Sequence, residues 1–175
     1  MENEMFKSKL KLMRCMAMSI IFALEIVILD KSSVSHAKAY IQSWNLVDSG
    51  KHLDYDGDSS YMNYISKGAS IWNGYKKGVI RKDSWLVLED VYVTDVNRAN
   101  GIRATTYSNG KIELNVYSLK SSSPNQILKT ATHELGHALG LDHSPGNSIM
   151  FQGLLGRTTL SQDDKDSYDA AYKKY

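Results

Sequence analysis

Cysteine is nearly absent: the only one in 175 residues is Cys15. It lies in an N-terminal stretch read below as removable, so the remaining chain must fold without a disulfide. Long apolar runs are missing too. The one from Cys15 to Leu29 is broken by Glu25 and falls short of the roughly 20 residues a membrane-spanning helix needs. No internal repeat or low-complexity segment follows Tyr40, and only Ser121-Ser122-Ser123 looks like a joint. An excess of one charge is also lacking. Residues 1–39 carry six of the 21 Lys/Arg and four of the 19 Asp/Glu, leaving 15 of each beyond them. A net charge near zero gives no electrostatic basis for binding nucleic acid or an anionic membrane.

At the N-terminus, Lys7, Lys9, Lys11 and Arg14 precede the apolar stretch, and Ala37-Lys38-Ala39 offers small residues for cleavage. This pattern predicts a secretory signal peptide over 1–39, cut near Ala39, and a secreted domain over 40–175. A retained anchor is the competing reading, which Glu25 and the short apolar stretch disfavour. With 42% apolar and 10% aromatic residues, the chain has the composition of a globular domain.

The pattern alternates strands and helices. A strand is expected around Lys51 to Tyr55, then a polar turn at Asp56-Gly57-Asp58. A helix follows from Ser59 to Tyr75, with Met62, Ile65, Ala69 and Trp72 on one face. Val79-Ile80 and the stretch Trp85 to Val96 read as strands, and Asp95 to Gly101 as a loop. Ile102 to Tyr107 and Ile112 to Tyr117 flank Asn109-Gly110, which predicts a tight antiparallel hairpin. Ser123, Pro124 and Gln126 form a helix start, with Ser123 as cap and Gln126 as its capping-box partner. That helix should end near Gly140, and Ser161-Gln162-Asp163-Asp164 should open a last one running to Tyr175.

The second of these helices carries the chemistry, in His133-Glu134-Leu135-Gly136-His137-Ala138-Leu139-Gly140-Leu141-Asp142-His143. Histidines four apart sit one turn above each other, so His133 and His137 can chelate one metal ion. Glu134 points about 100° further round the helix, beside the metal rather than on it, where a general base for a water belongs. Gly140 accepts the left-handed conformation that ends a helix, and the turn returns His143 as third ligand. Three neutral imidazoles leave a fourth position for water, whose pKa zinc lowers from 15.7 to roughly 7. The five fixed positions would arise by coincidence with a chance on the order of 10⁻⁵ in a chain this long.

This stretch resembles the H-E-x-x-H-x-x-G-x-x-H signature of the metzincin metalloproteases, and Ser148-Ile149-Met150 resembles their methionine turn. Within that clan the chain is most similar to a matrixin: Ser144 follows the third histidine, and Leu160 to Asp164 resembles the start of the matrixin C-terminal helix. The resemblance implies an α/β domain with a twisted, mostly parallel sheet and an antiparallel edge strand. Two long helices pack on that sheet, and a C-terminal helix lies below it. It also implies Met150 as an apolar floor under the zinc, with the residues after it walling a substrate side-chain pocket.

The chain departs from the family pattern in two ways. His52 is the only histidine between Tyr40 and His133, too few for the structural zinc site of vertebrate-type matrixins, and no cysteine is placed for a zinc-blocking propeptide. Asp54, Asp56 and Asp58 lack the glycine and glutamate of an EF-hand loop and read as a solvated turn. Asp95, Asn97 and Asn100 offer oxygens for a structural Ca²⁺ without a specific motif.

The implied activity is hydrolysis of peptide bonds by a monomeric, secreted zinc endopeptidase. Its substrate, a protein or peptide, would lie along the Ile102 to Tyr107 edge strand. No membrane association is expected after signal cleavage. Two other functions fit the same residues: a zinc-dependent binding module without turnover, and a metallohydrolase acting on a non-protein amide such as a cell-wall peptide.

Overall fold

The computed structural model describes residues 38–84 and 88–175. Residues 1–37 of the expected signal segment lie outside these residues, as do Trp85 to Val87 of the third expected strand. Among the described residues no helix is long and apolar enough to cross a membrane.

The strands are β1 (Leu53–Gly57), β2 (Ile80–Lys82), β3 (Val91–Val96), β4 (Ala104–Tyr107) and β5 (Lys111–Asn115). They form one sheet in the order β2-β1-β3-β5-β4. β1 runs parallel to β2 and β3, and β3 parallel to β5, while β4 pairs antiparallel with β5 at the edge. Leu53, Tyr55, Val91, Val93, Ile112 and Leu114 are buried, as expected of parallel strands covered by helices. The fold is therefore the α/β architecture implied by the resemblance, edge strand included.

Helix α1 (Met62–Asn73) buries Ile65, Gly68, Ala69 and Trp72, the three- and four-residue spacing of one apolar face. It starts three residues later than the sequence suggests. Ser59 and Ser60 do not cap it; their hydroxyls donate to Asp95 at 2.5 and 2.6 Å. It ends where the Asn73 side chain leaves the helix pattern and pairs with the backbone of Ile80 in both directions, at 2.7 and 2.9 Å. The hairpin loop spans three residues, since Tyr107 pairs with Lys111.

β5 also stops earlier than expected. The Asn115 amide donates to the carbonyls of Arg98 at 2.8 Å and Ile102 at 2.7 Å, and its carbonyl accepts from Arg98 N–H at 3.0 Å. With the side chain tied to this loop, Val116–Leu119 forms a single helical turn, α2, instead of more strand.

Helix α3 (Pro124–Ala138) opens on the expected capping box between Ser123 and Gln126. It packs across α1, where Trp72 Nε1 donates to the Thr132 carbonyl at 2.8 Å. Helix α4 (Gln162–Tyr172) opens on a second capping box, Ser161 with Asp164. Tyr168 on α4 meets Trp72 edge to face, with ring centroids 5.4 Å apart, a contact worth about 0.5–1.5 kcal/mol beyond area burial.

One aspartate reading changes. Asp54 is buried, not solvated, because Arg81 grips its carboxylate with bonds of 2.8 and 2.6 Å. The oxygens of Asp95 and Asn100 are engaged by protein N–H and O–H groups, namely Ser59, Ser60, Ile102 and Asn115.

A candidate metal centre and its cleft

The last two turns of α3 present His133, Glu134 and His137. The helix stops at Ala138, and Gly140 follows with φ 86°, a conformation that costs any residue with a Cβ. The carbonyls left without partners at this end are taken up from the N-terminal side of the domain. Leu46 N–H donates to Ala138 O at 2.9 Å, Gln42 N–H to Gly140 O at 2.8 Å, and the Gln42 amide to His137 O at 2.9 Å. Tyr175 adds its hydroxyl to Leu139 O. Sequence periodicity gives no sign of this clamp, whose members lie far apart in the chain.

The turn brings His143 back. Its Nε2 lies 3.2 Å from that of His137, and the His137 and His133 Nε2 atoms are 3.1 Å apart. His133 Nδ1 lies 2.8 Å from the Ile149 carbonyl and His137 Nδ1 2.9 Å from the Leu141 carbonyl. Carbonyls only accept, so each Nδ1 carries the proton and each Nε2 faces its neighbours as a bare lone pair. Lone pairs in mutual contact repel unless a cation sits among them. Tetrahedral zinc at 2.0–2.1 Å from each nitrogen implies separations of about 3.3 Å, close to those observed. Burial pushes the pKa of His133 and His137 down, which keeps both rings in the neutral, metal-binding form. Among the described residues, the donor set fits zinc.

Glu134 is buried beside these rings. Thr106 Oγ1 lies 2.7 Å from Glu134 Oε2 and 3.0 Å from its backbone carbonyl. Burial raises the carboxyl pKa to about 7, with the Thr106 hydroxyl and the charge of Lys129 pulling it back. A divalent cation next to it lowers it further. Thr106 stands on the edge strand, 28 residues before Glu134, and nothing in the sequence marks it.

Met150 is fully buried, and a Cβ built on Gly136 would collide with its Sδ. This glycine therefore lets the thioether sit directly against the helix between the two histidine turns. The Met150 backbone is held by a residue that sequence reading treats only as a helix cap. Asp164 is 0% exposed, and its carboxylate accepts from Ile149 N–H at 2.9 Å and Met150 N–H at 3.0 Å. It also accepts from Ser161 N–H at 2.7 Å. The same Ile149 offers its carbonyl to His133, so Asp164 orients a candidate ligand at one remove.

A cleft of about 520 Å³ opens over the histidines, with Ile102 to Thr106 on one wall and Gln152 to Leu154 on another. All the singled-out site residues, His133, Glu134, His137 and His143, line it, with Met150 packed against Gly136 in the core of α3. Lys129 lines it as well. Its ammonium bonds to the carbonyls of Phe151 and Gly153, and burial lowers its pKa to about 8.

A family model described as matrixin matches residues 29–173. A stretch of 62 residues is 44% identical to human matrix metalloproteinase-25, covering 31% of this chain and 11% of that protein. The match thus spans about a tenth of that relative's length. Among solved structures, high choriolytic enzyme 1, a hatching enzyme zinc-protease from the medaka fish Oryzias latipes, aligns with a TM-score of 0.48. The identity is 16%, over 74% of this chain and 94% of that one.

Proposed function

The chain belongs to the matrixin family, and from that membership we propose that it is a secreted zinc-dependent endopeptidase. His133, His137 and His143 are its zinc ligands and Glu134 is its general base. The observation that carries this reading is the convergence of three Nε2 atoms, that of His137 lying 3.1 Å from His133 and 3.2 Å from His143, next to a buried carboxylate in an open cleft.

Zinc held there supplies Lewis acidity, polarising a carbonyl oxygen and making water a stronger acid at neutral pH. The chain's own groups do the rest. Glu134 accepts the proton of the attacking water and delivers it to the leaving amine. Thr106 fixes one oxygen of that carboxylate, leaving the other for the proton. The outer side of β4 faces the cleft and offers main-chain groups to an extended peptide, which adds as a further strand. Met150 gives the site an apolar floor. The protein acts as a monomer on protein or peptide substrates, after export directed by residues 1–39.

Two experiments test the reading. The purified protein, zinc-loaded or stripped with a chelator, is incubated with casein and separately with peptidoglycan fragments. Casein cleavage that is lost with the chelator and restored by zinc is expected; cleavage of peptidoglycan fragments alone, or of neither, would contradict the assignment. For export, mass spectrometry of protein from culture medium should find Tyr40 first, and an intact Met1 would refute the cleavage site.

A further inference from the structure

Lys129 is a buried cation without a counter-ion. It lies one helical turn before His133 and is 4% exposed, and long charged side chains are almost never buried unless paired. Its ammonium bonds only to the neutral carbonyls of Phe151 and Gly153, and among the described residues no carboxylate lies within ion-pairing distance. The two acids whose charge it feels, Glu134 and Asp164, are committed elsewhere. Glu134 is bonded to Thr106, and Asp164 to Ile149, Met150 and Ser161.

A second cation adds to the imbalance. Arg103 lines the same cleft, near enough to disfavour the Lys129 charge, and its buried Nε has no partner. The remaining acid in the lining, Asp142, accepts from the N–H of His143. The rim is apolar: Ile102 is 52% exposed and Leu154 38%. A complementary side chain has methylenes at the rim and an anion at its tip.

We propose that the cleft selects substrates with a carboxylate side chain, glutamate foremost, at a residue adjoining the scissile bond, with Lys129 and Arg103 as the specificity-determining cations. This rests on the endopeptidase reading above. The missing counter-charge is brought by the substrate, which completes an ion pair with a side chain that is already buried. Glutamate then gains over its neutral isostere through a charge-assisted bond that glutamine cannot make.

The test uses the zinc-loaded, full-length protein and sets of peptides identical except for Glu, Gln or Leu at the residues on either side of the cut. For one of those positions, kcat/KM for Glu should exceed that for Gln by about tenfold or more, the scale of a hydrogen bond to a charged group. The ratio should fall toward one in Lys129→Met, and fall in part in Arg103→Met. It should be kept in Lys129→Arg, which retains the cation. Equal cleavage of Glu and Gln peptides by the parent protein, or a preference for Leu, overturns the proposal while leaving the endopeptidase reading intact. A ratio unchanged in both Lys129→Met and Arg103→Met overturns the residue assignment. Cleavage of no peptide at all removes the endopeptidase reading and the selectivity with it.

Discussion

Replacing Asp164 by Asn probes how the C-terminal helix governs the metal centre. The carboxylate accepts from Ile149 N–H at 2.9 Å and from Met150 N–H at 3.0 Å, in a position with no solvent exposure. An asparagine keeps one acceptor oxygen, which can serve Ile149 and Ser161, and turns an NH2 donor toward Met150 N–H, where it cannot bond. One bond to a charged acceptor is lost, at about 1.5–3 kcal/mol, and the others lose their charged partner, so the expected destabilisation is at least about 1.5–3 kcal/mol. That is a sizeable part of the 5–15 kcal/mol typical of a whole domain. Ile149 also holds His133 through its carbonyl, so zinc affinity should fall by about 10- to 100-fold. Urea denaturation of the zinc-loaded protein measures the first effect, and competition with a chromophoric chelator the second. Ser161→Ala is the control: it loses the helix cap, worth about 1 kcal/mol, but leaves Ile149 and Met150 in place, so zinc affinity should hold. If Asp164→Asn lies within about 1 kcal/mol of the parent and binds zinc as tightly, the linkage drawn from Asp164 to His133 is wrong.

Three further predictions rest on separate contacts. His143→Ala should abolish high-affinity zinc binding, because two imidazoles hold the ion far less tightly than three; near-stoichiometric zinc after dialysis would refute the ligand set. Thr106→Val should lower kcat by about tenfold with little change in KM, the scale of one lost bond to a charged group, and Thr106→Ser should restore it; unaltered kinetics in the valine variant would show that the hydroxyl does not position Glu134. Glu113 is buried between Lys111, Tyr107 and Arg98, and the bond from Lys111 leads the effects that hold its carboxyl below the ordinary 4.5. A depressed folded pKa contributes stability that is complete above the unfolded value and is lost as pH falls through the folded one. Denaturation midpoints of the parent should therefore drop more steeply below about pH 4.5 than those of Glu113→Gln, and parallel curves would contradict that role.

The three-histidine stretch was legible in the sequence because its geometry is local. Residues one and four apart on a helix have fixed relations, and Gly140, just past the last helical residue, takes the left-handed conformation that ends the helix. Both capping boxes and the antiparallel edge hairpin were readable for the same reason. Side chains that leave their expected pattern were not. Asn73 and Asn115 end their elements by bonding to backbone seven and 17 residues away, and Ser59, where the first helix is expected to start, donates to Asp95 ahead of α1. The supports of the site escaped for a related reason. Thr106 meets Glu134, and Asp164 meets Ile149, only after the sheet edge and α4 have been folded against α3. Lys129 sits on a helix whose apolar face predicts burial, but the missing counter-ion is visible only once its neighbours are known.

The central claim is that zinc binding and proton transfer are divided between different residues, and Glu134→Gln tests it most directly. The substitution keeps the shape and the Thr106 contact but removes the base. The purified variant should hold zinc in the same stoichiometry as the parent, while peptide hydrolysis falls by at least the roughly 10²- to 10⁴-fold that general-base catalysis contributes. A zinc-loaded variant that still cuts peptides at close to the parent rate would show that Glu134 is not the base.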